Sequence, residues 1–203
     1  MFGDRFARRV ARRYDRHGLN KTQQRIVDFL AARGIEGASV LEIGGGLGEI
    51  QVELLRRGAA HVTNTEISSG YDERADAMLR DAGVRDKVDR RLVDIAQRPD
   101  DVDEADVVLL HRVVCCYPDY DRLLSAATTH ARRLVVFSHP PANPAIRAWM
   151  GAENFVRRLQ RNDFRSFVHP PDAMTSVVER HGCQLKYRHR GLSWNVVGFE
   201  RAA

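Results

Sequence analysis

The chain has 203 residues, the size of one domain, and its 43% hydrophobic and 29% charged residues are ordinary globular composition. No apolar run approaches the roughly 18 residues that a membrane-spanning helix needs. Six arginines among the first sixteen residues interrupt any signal-peptide core, so we expect a cytoplasmic protein. Three cysteines, two of them adjacent, form neither a disulfide framework nor a zinc motif. The net charge of +5 comes mainly from arginine and does not by itself select a partner.

The first twenty residues predict a basic amphipathic helix. Its apolar residues recur every four positions between arginines; they are Phe2, Phe6, Val10 and Tyr14. Such a helix can cover the sheet edge or a ligand cleft as a lid, or it can make peripheral contact with an anionic membrane surface. Both interpretations stay open for residues 1–20, and residues 21–203 are expected to form one domain.

A helix predicted at 20–33 and a buried strand at 39–43 lead into three glycines at every second position. These are Gly44, Gly46 and Gly48. Glycine lets the backbone turn tightly and approach a ligand closely, and a helix at 47–57 follows, which is typical of a nucleotide-type cofactor site. The dinucleotide fingerprint needs glycine at position 49 or 51, where the chain has Glu49 and Gln51.

The next two predicted strands each lead to a carboxylate. The strand at 61–66 ends in Glu66, about twenty residues beyond the glycines, where an acidic side chain can accept both ribose hydroxyl protons. The strand at 88–93 ends beside Asp94 and Ile95.

The glycines after the first strand and the acidic residues after the next two strands, in this order, resemble motif I and the following acidic positions of the class I S-adenosylmethionine-dependent methyltransferases. The resemblance implies that S-adenosylmethionine is the cofactor and that Asp94 and Ile95 hold its adenine. The cofactor-binding residues we assign are Glu42, Gly44, Gly46, Gly48, Glu66, Ile67, Asp94, Ile95 and His111.

Strands and helices continue to alternate to the end of the chain. The remaining strands are predicted at 105–110, 133–138, 184–190 and 193–200, and the remaining helices at 71–82, 119–131, 143–161 and 171–181. Only Gly191 and Leu192 separate the last two strands, which is too short for a parallel crossover and requires an antiparallel hairpin. We therefore predict an α/β, Rossmann-like fold: a seven-stranded, mostly parallel sheet with an antiparallel last strand and helices on both faces.

The segment after the fourth strand, 111–119, is rich in reactive side chains and lies where open α/β sheets bind ligands. His111 can act as a general base, because an unperturbed imidazole titrates near neutrality, or it can only hydrogen-bond the backbone or the cofactor. Tyr117 can line the acceptor pocket or donate a hydrogen bond, or it can pack at the helix entry. Cys115 and Cys116 are expected to pack in the protein interior and not to act as nucleophiles.

A helical insert is predicted at about 143–170. Its apolar residues lie between arginines and are Trp149, Met150, Phe155, Leu159, Phe164, Phe167 and Val168. They can roof an acceptor pocket, or they can pack on the sheet while the arginines face water. Three parts of the last hundred residues also resemble, weakly, the methyltransferases of magnesium protoporphyrin and of quinone synthesis: Tyr117-Pro118, the insert 149–155 and the ending 191–201.

The function that we predict is methyl transfer to a small molecule. Metal-dependent catechol-type relatives have an aspartate where this chain has His111, so no metal is expected. Two alternatives stay open: a non-catalytic partner or regulatory protein that binds S-adenosylmethionine, and an RNA methyltransferase suggested by the basic charge. Because no RNA-binding appendage is recognisable, no nucleic-acid partner is expected.

Overall fold

A computed structural model describes residues 12–14 and 16–202 of the chain. Its centre is a seven-stranded sheet of order β3-β2-β1-β4-β5-β7-β6. The strands are β1 (Ser39–Ile43), β2 (His61–Glu66), β3 (Val88–Leu92), β4 (Ala105–Leu110), β5 (Ala131–His139), β6 (Cys183–His189) and β7 (Asn195–Arg201). Strands β1 to β5 pair in parallel, whereas β7 is antiparallel to both β5 and β6. The predicted sheet is therefore confirmed.

Six helices of eight or more residues connect the strands in the described part of the chain. They are α1 (Lys21–Ala31), α2 (Glu49–Arg56), α3 (Asp72–Asp81), α4 (Tyr120–Thr129), α5 (Pro144–Leu159) and α6 (Pro171–Arg180). Helix α1 begins after a capping box, in which Asn20 accepts from the Gln23 backbone and the Gln23 side chain accepts from the Asn20 backbone. The six helices predicted between residues 20 and 181 are all present, with ends that differ from the prediction by at most two residues.

The sheet separates two apolar layers. Helices α1 and α2 cover one face, where Ile26 and Leu54 are fully buried. Helices α4 and α6 cover the other face, where Leu124 and Val178 are fully buried. Helix α5 contributes no residue to either layer. It therefore lies outside the core that fixes the other helices.

The hairpin between β6 and β7 is longer than the sequence indicated. Residues 190–194 separate the two strands, in place of the two residues expected. The Asn195 side chain accepts a hydrogen bond from the Gly191 backbone at 3.1 Å, so a side chain closes the turn where strand pairing was expected. The antiparallel pairing itself is confirmed.

The predicted N-terminal helix at 1–20 lies mostly outside the described residues. Of that segment, residues 12–14 and 16–17 are helical. The Tyr14 hydroxyl donates to the Glu53 carboxylate of α2 at 3.0 Å, which fixes this end of the segment against the domain. Within 12–14 and 16–202, no helix has the length and apolarity required to cross a membrane.

Candidate functional site

A crevice opens at the carboxyl ends of β1, β2 and β4, beside the point where strand order reverses between β1 and β4. Open α/β sheets bind ligands at this place. Its lining comprises Ile43, Gly44, Thr65, Glu66, Ile67, Val93, Asp94, Ile95, Val113, Cys116, Tyr117 and Leu123. Six of the residues singled out from the sequence therefore converge here: Gly44, Glu66, Ile67, Asp94, Ile95 and Tyr117.

The glycine loop between β1 and α2 forms one wall. The Gly44 N–H donates to the Thr65 carbonyl at 2.7 Å, which ties the start of the loop to β2. Gly46 has a φ of +59°, a left-handed conformation that favours glycine, and a Cβ added there would meet no atom within 4 Å. Gly48 is the residue before α2, so the loop ends at a helix N-terminus. This open backbone fits the close approach of a ligand.

Glu66 ends β2 and faces the same loop. The Gly46 N–H donates to its carboxylate. Because the residue is only 8% exposed, burial raises the pKa of Glu66, while the Gly46 hydrogen bond and the nearby Arg90 guanidinium oppose that rise. A buried carboxylate held by the glycine loop is suited to accept hydrogen bonds from a diol.

Asp94 follows β3 and is held from two sides. Its Oδ1 accepts from the Ala96 backbone at 3.0 Å, and its Oδ2 accepts from the Tyr117 hydroxyl at 3.0 Å. Tyr117 thus contacts Asp94, the residue expected to bind the adenine, and its hydroxyl is occupied by that hydrogen bond. Ile95 is buried behind the crevice, whereas Ile67 stands at the rim with 59% of its surface exposed.

Glu42 lies behind the glycine loop. It is 2% exposed, and a Cβ on Gly45 would collide with its carboxylate and with the side chains of Gln51 and Asn64. Burial raises the pKa of Glu42 to about 8. Glu42 is thus enclosed behind the loop and is not among the residues that line the crevice, and its contact with the cofactor stays a prediction.

His111 follows β4, and its Nδ1 lies 3.0 Å from the Ser138 hydroxyl oxygen at the end of β5. The same oxygen accepts from the Arg112 N–H at 3.0 Å. Burial, with the neighbouring Arg112 charge, lowers the pKa of His111 to about 3. The imidazole is therefore neutral near pH 7, and it is a weaker base than the sequence suggested.

Two charged residues near the glycine loop were missed at the sequence level. Glu49 begins α2; burial raises its pKa, and the nearby Arg112 and Arg13 guanidinium groups oppose the rise. Arg112 has a φ of +61°, which is uncommon outside glycine, and its guanidinium lies 4.7 Å from the centre of the Trp194 ring. Backbone strain of this kind carries no signal in a single sequence.

A larger cavity of about 640 Å³ adjoins the crevice at Cys116. Its other walls are Pro118 and residues of the segment 161–167. That segment is fixed to the β4 loop, because the Phe167 N–H donates to the Cys115 carbonyl at 2.7 Å. Cys115 is buried as expected, but Cys116 lines both spaces and is not merely filler.

Of the described residues, none form a cluster of three or more His, Cys, Asp or Glu side chains able to hold a metal ion.

Comparison with known proteins defines the class. A family model described as a methyltransferase domain matches residues 8–187, so the chain belongs to this family. The resemblance to the S-adenosylmethionine-dependent methyltransferases is thereby confirmed. S-adenosylmethionine is the methyl donor of these enzymes. No curated protein sequence matches the chain.

Several solved structures share the fold. Magnesium protoporphyrin IX methyltransferase from Synechocystis PCC 6803 with bound SAH is 18% identical, with a TM-score of 0.73 over 90% of this chain and 82% of that one. A putative sarcosine dimethylglycine methyltransferase from Galdieria sulphuraria is 12% identical, with a TM-score of 0.71 over 90% and 86%. A putative RNA methyltransferase from Pyrococcus horikoshii is 15% identical, with a TM-score of 0.61 over 89% and 81%.

Proposed function

We propose that this S-adenosylmethionine-dependent methyltransferase transfers the methyl group to a small-molecule acceptor without a metal ion. The observation that carries the proposal is the convergence of the open glycine loop, Glu66 and Asp94 on one crevice, with a separate cavity of about 640 Å³ beside it. The first space suits the donor, and the second is large enough for an acceptor of drug-like size.

The donor would lie across the strand ends. Gly44, Gly46 and Gly48 would border its methionine part, Glu66 would accept the ribose hydroxyls, and Asp94 would accept from the adenine amino group. Ile67 and Ile95 would flank the adenine ring. The crevice encloses about 60 Å³, so we expect its rim, where Ile67 is 59% exposed, to open when the donor binds.

The zwitterionic end of the donor would meet charges of both signs. Glu49 would face its ammonium group, and Arg112 its carboxylate. When bound, the donor supplies an electrophilic methyl group on a sulfonium. The protein contributes mainly by holding the acceptor in line with that group in a dry cleft, which can supply roughly 7–11 kcal/mol.

His111 and Tyr117 receive different roles under this proposal. The neutral imidazole of His111 would orient the acceptor through a hydrogen bond, since a group with a pKa of about 3 removes protons poorly near pH 7. Tyr117 would fix the Asp94 carboxylate against the adenine, with its own hydroxyl 3.0 Å from Oδ2. Ser138 would set the orientation of His111.

Calorimetry with S-adenosylmethionine and S-adenosylhomocysteine tests the donor site. Binding of both ligands is expected, and failure to bind either one refutes the proposal. Methyl transfer is then measured over a panel of carboxylic acids, phenols, amines and structured RNA, with and without EDTA.

Transfer to a small molecule that survives EDTA supports the proposal. Binding without any transfer favours the regulatory alternative. The fold shared with a putative RNA methyltransferase gives a reason to include RNA, and transfer to RNA alone would overturn the small-molecule acceptor.

A further inference from the structure

Helix α5 (Pro144–Leu159) presents its apolar face outwards. None of its sixteen residues is buried. At about 100° per residue, seven apolar residues fall on one arc of about 120°, and all seven are exposed. They are Ala145, Ala148, Trp149, Ala152, Phe155, Val156 and Leu159. The exposure reaches 70% for Trp149 and 69% for Leu159.

The opposite face of α5 is turned towards the protein and carries polar contacts. The Asn154 amide donates to the Ser166 carbonyl at 2.7 Å, and Arg157 donates to the Ser166 hydroxyl at 2.8 Å. Arg157 also pairs with Glu153 at 2.6 Å. Ile146 and Met150 are half-buried on this inner face, but the wider apolar arc faces solvent, whereas the apolar stripe of an ordinary surface helix faces the core. Of the apolar residues predicted for the insert, Phe164 and Phe167 do line the cavity of about 640 Å³, whereas the exposed arc of α5 lines neither that cavity nor the core layers on the sheet.

The charges around the apolar arc are mainly positive. Arg147 and Arg158 lie on the polar side of the helix beyond one edge of the arc, Glu153 lies beyond the other edge, and Arg161 follows the helix end; the three arginines are exposed. Between residues 144 and 165 there are five arginines, against only Glu153 and Asp163. The surface that covers this face must therefore be apolar in part and negatively charged.

We propose that α5 docks on an anionic lipid surface, with Trp149, Phe155 and Leu159 in the headgroup and acyl boundary and the arginines on lipid phosphates. An exposed helix with aromatic and aliphatic residues on one face and arginines on its polar face has the character of an interfacial helix. A second copy of the chain suits the face less well, because two such faces would bring their arginines together. The proposal is independent of the acceptor chosen above.

Vesicle sedimentation with the full chain tests the proposal. The probes are vesicles of phosphatidylcholine alone and of phosphatidylcholine with phosphatidylglycerol. Binding is expected only to the anionic vesicles and should weaken as salt is added. The double variant Trp149→Gln/Leu159→Gln should bind at least about tenfold more weakly. The matched control is Leu192→Gln, because Leu192 is 96% exposed but lies in the β6–β7 turn; it should bind like the wild type.

Tryptophan fluorescence locates the contact without relying on the double variant. The chain has two tryptophans, Trp149 and Trp194. A blue shift on anionic vesicles should persist in Trp194→Phe and disappear in Trp149→Phe. Equal binding by the double variant, or a shift that depends on Trp194, overturns the proposal. A concentration-dependent dimer that the double variant abolishes, without vesicle binding, would assign the face to a second copy and likewise overturn it.

Discussion

Replacing Glu42 with Gln tests whether the carboxyl group beneath the glycine loop is held in its neutral form. Burial raises the pKa of Glu42 from 4.5 to about 8. Between these values the native protein keeps a proton that the unfolded chain releases, so stability is greatest below pH 4.5 and is lost as the pH rises towards 8. At pH 7 the difference spans 2.5 pH units, or about 3 kcal/mol.

The Glu42→Gln variant carries no ionisable group at this position and should escape that loss. We expect its free energy of unfolding to exceed that of the wild type by up to about 3 kcal/mol at pH 7, with the gap closing towards pH 4.5. Urea unfolding followed by circular dichroism, at several pH values between 5 and 8, measures the gap. Glu36→Gln is the matched control, because Glu36 is exposed and should leave the pH dependence unchanged.

The reasoning is refuted if Glu42→Gln is less stable than the wild type at pH 7 and the deficit grows with pH. That result would mean that the carboxylate is ionised in the native protein and stabilised by its neighbours.

Three further predictions concern the crevice. Gly46→Val should reduce S-adenosylmethionine affinity at least about tenfold in calorimetry, because it strains the left-handed backbone and fills the space beside the loop. The control variant Gly151→Val, on α5, should bind normally. Normal binding by Gly46→Val would place the donor site elsewhere. Glu66→Gln should weaken the same binding by about 1–3 kcal/mol, since one carboxylate acceptor becomes a donor, and an unchanged Kd would remove Glu66 from the ribose site. The imidazole NMR signal assigned through His111→Gln should not shift between pH 5 and 8, as burial keeps that ring neutral; titration near pH 6.5 would contradict this.

The sheet could be predicted because each of its strands is marked by a pattern within a short stretch of sequence. The apolar runs at 39–43 and 105–110 read as buried parallel strands, and glycines at fixed spacing mark the turn between β1 and α2. Carboxylates at the ends of successive parallel strands lie at the same edge of the sheet. For this reason the sequence could predict that Glu66 and Asp94 lie close together. The strand order and the family match confirm the fold and the family, whereas the cofactor contacts of Glu66 and Asp94 stay predictions.

The rest depends on tertiary contacts that no local pattern records. The sequence left open whether Tyr117 lines an acceptor pocket, donates a hydrogen bond or packs at the helix entry, and it did not indicate that its hydroxyl would donate to Asp94 across the crevice. Burial and the Arg112 charge lower the pKa of His111 to about 3, an effect that depends on its surroundings in the fold. Asn154 and Arg157 of α5 donate hydrogen bonds to Ser166, and these bonds hold the apolar arc of the helix towards solvent. The amphipathic periodicity of the sequence would be the same if that arc faced the core.

The walls of the two spaces come from different stretches of the chain. The crevice at the strand ends is lined by residues between 43 and 123, whereas residues 161–167, between β5 and α6, supply most of the cavity beside it. Exchange of that insert between related domains should thus alter which compound is modified while leaving donor affinity intact. Such modularity gives a practical route to engineered chimeras, in which selectivity is redesigned by grafting one short region onto an unchanged scaffold.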